Sequence, residues 1–318
     1  MGYRALLLLN PHARRGDNQL SKVIEQLQAL GLEIVAECAE EPQHLPDLIR
    51  RYQHQIDMVI VGGGDGTLNA AVEGLVDTQL PLGILPLGTA NDLARTLGVP
   101  TCLTKACKII AQGQVRRIDL GWVNGKYFFN VASLGLCVQI TRKLTKSAKR
   151  RWGAWAYAAT ALKVLHQARR FKAEIRLNGE SIPVKTIQIA VGNGCYYGCG
   201  MKIVSDAAID SKRLDLYSLE IHHWWQFLPL MFAIRQGRHH KKPGVRTLNG
   251  QEIEVYTRRP YPINTDGEIT THTPAKFRVI PEAIAVFVPG ETDYPAKEAG
   301  EQGGRGAGRY SSQSFSSK

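Results

Sequence analysis

Residues 59–69 read VIVGGGDGTLN. A short run of branched apolar residues predicts a strand, and LNAAVEGLVD after it predicts a helix. Between them, Gly62, Gly63, Gly64 and Gly66 permit a tight turn and let backbone N–H groups approach an anion without Cβ obstruction. The helix start adds the positive end of its dipole, so Gly63, Gly64, Gly66, Thr67, Leu68 and Asn69 are candidate phosphate contacts. Asp65 works against this, because two unit charges 4 Å apart repel by roughly 1–4 kcal/mol at water-like to surface-like dielectric. A divalent cation held by carboxylate and phosphate oxygens reverses the sign. An attacking hydroxyl gives Asp65 another role, as its orienter or proton acceptor. An isolated GDG is most simply a turn; four glycines between a good strand and a good helix are more than that. Neither the Walker A pattern nor the G-x-G-x-x-G dinucleotide pattern occurs.

Outward from this loop the first half alternates strand and helix patterns. RALLLLN, LEIVAEC, DMVIVGG and PLGILPLG read as strands. NQLSKVIEQLQALG, ending at Gly31, HLPDLIRRYQHQ and TANDLARTLG read as helices, the last with Thr89, Asn91 or Asp92 as its cap. Such alternation predicts a mostly parallel sheet with helices on both faces. Ligands in such sheets sit beyond the carboxyl ends of the strands. Asn10, residues 62–67 and residues 88–92 all fall there.

From RRIDLGWVNGKYFFNVASLG onward strands dominate, with an Asn178-Gly179 hairpin turn and helical patterns near 141–170 and 223–238. Residues 291–318 are Gly- and Ser-rich, apolar-poor and expected to be disordered. The expected architecture is α/β: a Rossmann-like nucleotide domain over 1–121, a β-rich domain over 122–290 and a tail.

At 318 residues, 44% apolar, the chain is long enough for a substantial core. No apolar run approaches the roughly 18 residues that span a bilayer. The N-terminal run is too short for a signal peptide, so a cytoplasmic location is expected. Its six cysteines form no CxxC or zinc spacing. A net charge of +12 attracts anions. Residues 141–172 combine cations with Trp152, Trp155 and Tyr157, a mixture suited either to an anionic headgroup zone or to a solvated helix face. HHWWQFLPLMFAIRQG is a second lipid-facing candidate. No RNP, KH or helix-turn-helix signature supports nucleic acid as the partner.

Four stretches together, NPHARRG, GGGDGTLNAAVEGL, PLGTANDLART and NTDGE, resemble the diacylglycerol kinase catalytic-domain family, in particular its bacterial YegS-like lipid kinases. GGDGT alone is common to NAD kinases, whose fold is similar. The resemblance runs from about Leu6 to Pro289. It implies an α/β nucleotide domain, a C-terminal β-sandwich and a cleft between them. It also implies Mg²⁺ and ATP, a lipid alcohol as acceptor, and peripheral association with the inner face of an anionic membrane. A homodimer is left open. By motif, Asn10, Arg14, Gly64 to Asn69, Glu73, Gly88, Thr89 and Asn91 lie at the nucleotide, and Asp65, Asp92 and Asp119 are cleft aspartates that could hold metal. Asp266 and Glu268 resemble the family's catalytic acidic pair. Two apart, they share a face if extended, and either could take the hydroxyl proton. Asn193 and Gly200 resemble a segment facing the cleft.

Two departures stand out. Cys38 occupies the place of a nucleotide-contacting threonine, and IDSKRLD replaces a metal-holding D-D-G-x-L-D stretch. Lys212 would there compete with a cation, which weakens Asp210 and Asp215 as ligands. The alternatives to a lipid kinase are an NAD kinase-like phosphotransferase and a binding module without catalysis.

Overall fold

A computed structural model describes residues 3–9, 16–38, 41–143, 164–194, 196–197, 201–202, 208–221, 223, 226, 230 and 243–290. The first half runs β1 (Arg4–Leu9), α1 (Gly16–Ala29), β2 (Glu33–Cys38), α2 (Leu45–Tyr52), β3 (Met58–Gly63), α3 (Asp65–Thr78), β4 (Leu82–Pro86), α4 (Asp92–Thr96) and α5 (Leu103–Ala111). Its four strands pair parallel in the order β2-β1-β3-β4. β3 and β4 are buried along their whole length, as expected of parallel strands covered on both faces. α1 ends at Gly31, whose φ of +90° and the bond from Leu32 N–H to the Leu27 carbonyl form the expected C-cap.

The second half runs β5 (Val115–Val123), β6 (Lys126–Phe128), β7 (Val131–Gly135), α6 (Leu136–Lys143), β8 (Phe171–Leu177), β9 (Glu180–Thr186), β10 (Gln188–Gly192), β11 (Tyr196–Tyr197), β12 (Met201–Lys202) and β13 (Leu214–Leu219). It finishes with β14 (Val245–Gly250), β15 (Glu252–Thr257), β16 (Pro262–Thr265), β17 (Glu268–His272) and β18 (Ala275–Phe287). One antiparallel sheet has the order β14-β13-β10-β7-β16-β17. It packs against β8, β15 and β18 through Leu134, Val191, Leu216, Ile175, Val255 and Phe277, giving the sandwich core. Its other face is covered by α6 with Val164, Leu165 and Leu230.

The two halves share strands. β18 pairs antiparallel with β15 and β5 and, at Val286, parallel with β4, so one ten-stranded sheet runs from β2 through to β9. The expected boundary between residues 121 and 122 falls inside β5. The Asn178-Gly179 turn joins β8 to β9 with both residues at positive φ, as expected. Residues 144–163, most of the helix expected near 223–238, and the tail lie outside the described residues.

Candidate active site

β3 and β4 end side by side and deliver two loops to one place. Gly64 caps α3, and Asp65 is its first residue. A Cβ on Gly64 would lie 3.1 Å from the Gly88 Cα, and one on Gly88 would run into Gly64 and the Asn91 side chain. Only glycine lets the loops meet this closely. Asn91, at φ 49°, accepts from Gly88 N–H at 3.0 Å and donates to its carbonyl at 3.0 Å. Asp65 Oδ1 accepts from Leu93 N–H at 3.1 Å, so its carboxylate lies at the starts of both α3 and α4. Acidic groups are favoured there by the helix dipoles, which offsets part of the repulsion expected of a carboxylate in a phosphate loop.

The β16–β17 hairpin comes to the same place from the second half. Asp266 and Gly267 have φ of 47° and 104°, the two-residue geometry that Asp-Gly favours, and Asn264 Oδ1 holds Gly267 N–H at 2.9 Å. The Asp266 carboxylate accepts from Phe129 N–H at 2.6 Å, Asn130 N–H at 3.0 Å and Val131 N–H at 3.0 Å. A fourth donor, Asn69 Nδ2 at 3.0 Å, comes from α3 across the seam. Burial pushes the Asp266 carboxyl up to about 6; the three amides pull it down and the Asp65 charge adds to the rise. Glu268 is different. It is exposed, its carboxylate has no hydrogen-bond or ion-pair partner among the described residues, and its Oε1 would be 3.6 Å from a Cβ on Gly66. Asp65, Gly66, Asn69, Asp266 and Glu268 therefore come together in one place.

Other expected site residues sit elsewhere or act otherwise. Asn69 spends its amide hydrogens on Asp266 and on the Tyr127 carbonyl at 3.3 Å. One turn on, Glu73 faces Lys126 at 3.6 Å, so this face of α3 addresses the β5–β6 hairpin. Leu68 is 1% exposed in the core, because an apolar residue in the first turn of α3 faces the sheet; only its backbone is left for a ligand. Gly63 and Thr67 are buried, and Gly88 and Thr89 are exposed. Asn10 and Arg14 lie outside the described residues, as does the Cys38 side chain.

Asp65, Asp92 and Asp119 do not form the expected ligand set. Among the described residues no three His, Cys, Asp or Glu side chains are grouped to hold a metal. Asp92 faces Arg95 at 3.4 Å. Asp119 is 1% exposed, and its oxygens accept from Lys212 N–H at 2.6 Å and Glu282 N–H at 2.8 Å. The Lys212 ammonium meets Glu282 at 2.6 Å, closing a ring of three residues. Asp210 pairs with Arg116, and Arg213 with Asp215 at 3.3 Å. A metal held by the 209–215 loop does not fit here, because basic side chains already face its carboxylates.

Of three asparagines near these carboxylates, Asn130 carried no sequence signal, whereas Asn193 and Asn264 fall in stretches singled out from the sequence. Asn130 and Asn193 bury a carboxamide oxygen, and Asn264 its nitrogen, without a partner among the described residues. Asn193 Nδ2 spans the Asp119 and Phe129 carbonyls at 2.9 and 3.0 Å, which gives it a bracing role. Asn130 follows an ordinary hairpin in the sequence, and only the return of Asp266 to its backbone marks it.

Two families of known proteins match the chain. The diacylglycerol kinase catalytic domain matches residues 4–123, and the YegS C-terminal NAD kinase beta sandwich-like domain matches residues 130–288. A diacylglycerol kinase of Staphylococcus saprophyticus is 28% identical over 296 residues, covering 92% of this chain and 97% of that one. A diacylglycerol kinase of Bacillus subtilis (strain 168) is 28% identical, covering 91% and 97%. Among solved structures, a Bacillus anthracis str. Sterne protein provisionally named a diacylglycerol kinase superposes with a TM-score of 0.77 at 25% identity, covering 90% of this chain and 97% of that one.

Proposed function

The chain belongs to the diacylglycerol kinase catalytic-domain family with a YegS-type second domain, and from that premise we propose that it transfers the γ-phosphoryl group of ATP to the hydroxyl of a diacylglycerol-like lipid. The observation that carries this is the meeting of Asp65 and Gly66 from one half with Asp266 and Glu268 from the other. Phosphoryl transfer asks a protein for alignment, charge neutralisation and a place for the nucleophile's proton.

The two acidic residues of the hairpin divide these tasks. Asp266 is held by four donors, so it is a fixed acceptor that registers the hairpin against α3. The Glu268 carboxylate is exposed and unpartnered among the described residues beside the loop, and we assign it the proton. The lipid oxygen bonds to the γ-phosphorus, the bond from that phosphorus to the β–γ bridging oxygen breaks, ADP leaves, and the hydroxyl proton passes to Glu268. Loop amides around Gly64 and Gly66, with the start of α3, face the phosphates. Asp65 suits a Mg²⁺ ion that arrives with the nucleotide, since such ions are bound by one or two carboxylates plus phosphate oxygens and neutralise the phosphate charge. The lipid is met at the inner face of an anionic membrane, with the protein bound peripherally. Among the described residues no helix is long and apolar enough to cross a membrane.

The test is transfer of labelled phosphate from ATP to a total lipid extract, with NAD offered separately. A labelled lipid is expected and labelled NADP is not. Glu268→Gln should lower turnover about 10²–10⁴-fold, the usual scale of a general base, with nucleotide affinity nearly unchanged. Full activity in that variant removes Glu268 from the role, and labelling of NAD alone removes the lipid.

A further inference from the structure

The outer face of the long sheet carries charge in two unlike arrangements. Toward its middle every charge is answered. Glu174 meets Arg176 at 2.7 Å and Ser181 at 2.9 Å. Arg176 lies 4.4 Å above the Tyr256 ring, and Glu254 accepts from Tyr256 at 2.9 Å. Lys276 bridges Glu252 and Glu254, and Arg278 bonds Glu252 at 2.9 Å.

At the end of the same face the pattern stops. Lys172 on β8 pairs directly opposite Lys185 on β9. Arg258 follows Thr257, which pairs with Ala173, so it falls beside Lys172 in the next strand. Arg259 comes next in the chain. All four side chains are exposed, and none of their charged groups has a partner among the described residues. Three cations thus line up across three strands, over about 10 Å at the usual strand spacing. Like charges directly opposite one another destabilise a sheet. The neighbouring rows show that this surface pairs charges where folding alone is served.

We propose that the row Lys172, Lys185 and Arg258 is the docking surface for an anionic phospholipid bilayer. The occupant follows from charge complementarity and from the chain. In the chain the row begins at Lys172, nine positions after residues 144–163, whose sequence holds Lys146, Lys149, Arg150, Arg151, Trp152 and Trp155, and the described fold resumes at Val164. Cations beside headgroup-seeking aromatics suit a membrane better than a nucleic acid groove. The choice of a bilayer rests on the lipid-kinase reading above.

The experiment uses the full chain and the triple variant K172Q/K185Q/R258Q. Each basic residue near an anionic surface is worth about a five-fold gain in binding, so the three together give roughly a hundred-fold. Sedimentation with phosphatidylcholine vesicles containing phosphatidylglycerol should therefore weaken about a hundred-fold, with no change on phosphatidylcholine alone. Thermal stability should stay level or rise, because like-charge repulsion is relieved; a merely structural row would lower it. Turnover on a dispersed short-chain diacylglycerol should match the parent. Equal vesicle binding by parent and variant overturns the proposal, as does a loss confined to nucleic acid binding. Loss of vesicle binding with no short-chain turnover in the parent would leave the surface standing and remove the lipid-kinase reading. Turnover without a vesicle effect would do the reverse.

Discussion

Asn69 and Asp266 lie 197 residues apart in the chain and meet at 3.0 Å. The contact requires a donor, and a carboxamide nitrogen with two hydrogens supplies both Asp266 and the Tyr127 carbonyl. Asn69→Asp would place a second carboxylate against a group already pushed up to about 6 and raise it further. The acid limb of kcat/KM should shift to higher pH in that variant, and by less in Asn69→Ala, which loses the donor without adding a charge; profiles coincident with the parent's would contradict the contact. Asp266 also bears on folding. Its folded value lies above the ordinary aspartate value near 4, so its contribution to stability is complete below about pH 4 and is lost as pH rises through about 6. Asp266→Asn should remove that slope, at most about 1.4 kcal/mol per pH unit, from denaturation measured across this window. Sequence could name Asp266 and Glu268 but not divide their work, because the division depends on Phe129, Asn130 and Val131 returning their N–H groups to one of them. It also placed Asn69 at the nucleotide, since motif position gives no direction to a side chain.

At the scale of elements, two short loops fix the site. Their contact depends on Gly64 and Gly88, where a methyl group meets the backbone of the facing loop and, at Gly88, the Asn91 side chain as well. Gly88→Ala should cost about 1–3 kcal/mol, typical of overpacking, and weaken nucleotide binding in calorimetry. An alanine variant with parental stability and affinity would mean the loops sit further apart. Most strands and helices of the first half were legible because each has one period and a clear stop, as at Gly31, but α5 (Leu103–Ala111) was not read. The NTDGE hairpin was legible as a turn for the same reason, Asp-Gly being suited to positive φ at both positions. The metal set was not legible. Asp119 looks like any aspartate within a strand until Lys212 and Glu282 are seen to hold both of its oxygens.

At the scale of the molecule, the fold class followed from the change of pattern near residue 115, but the seam did not. Sequence divides a chain at a point, whereas β5 and β18 run through both halves and carry the sheet from one to the other. Two halves stapled in this way should open together. Hydrogen exchange is expected to give amides of β3 and β10 the same opening free energy; a markedly lower value for β10 would mean the sandwich unfolds by itself.

The strand order has a further consequence during synthesis. β4 stands fourth in the sheet yet takes its outer neighbour from β18, some two hundred positions later. While translation proceeds, the nascent parallel layer is left with an open flank that nothing yet emerged can cover. Such flanks invite association with other chains. The polypeptide is therefore most exposed to aggregation just before β18 leaves the ribosome.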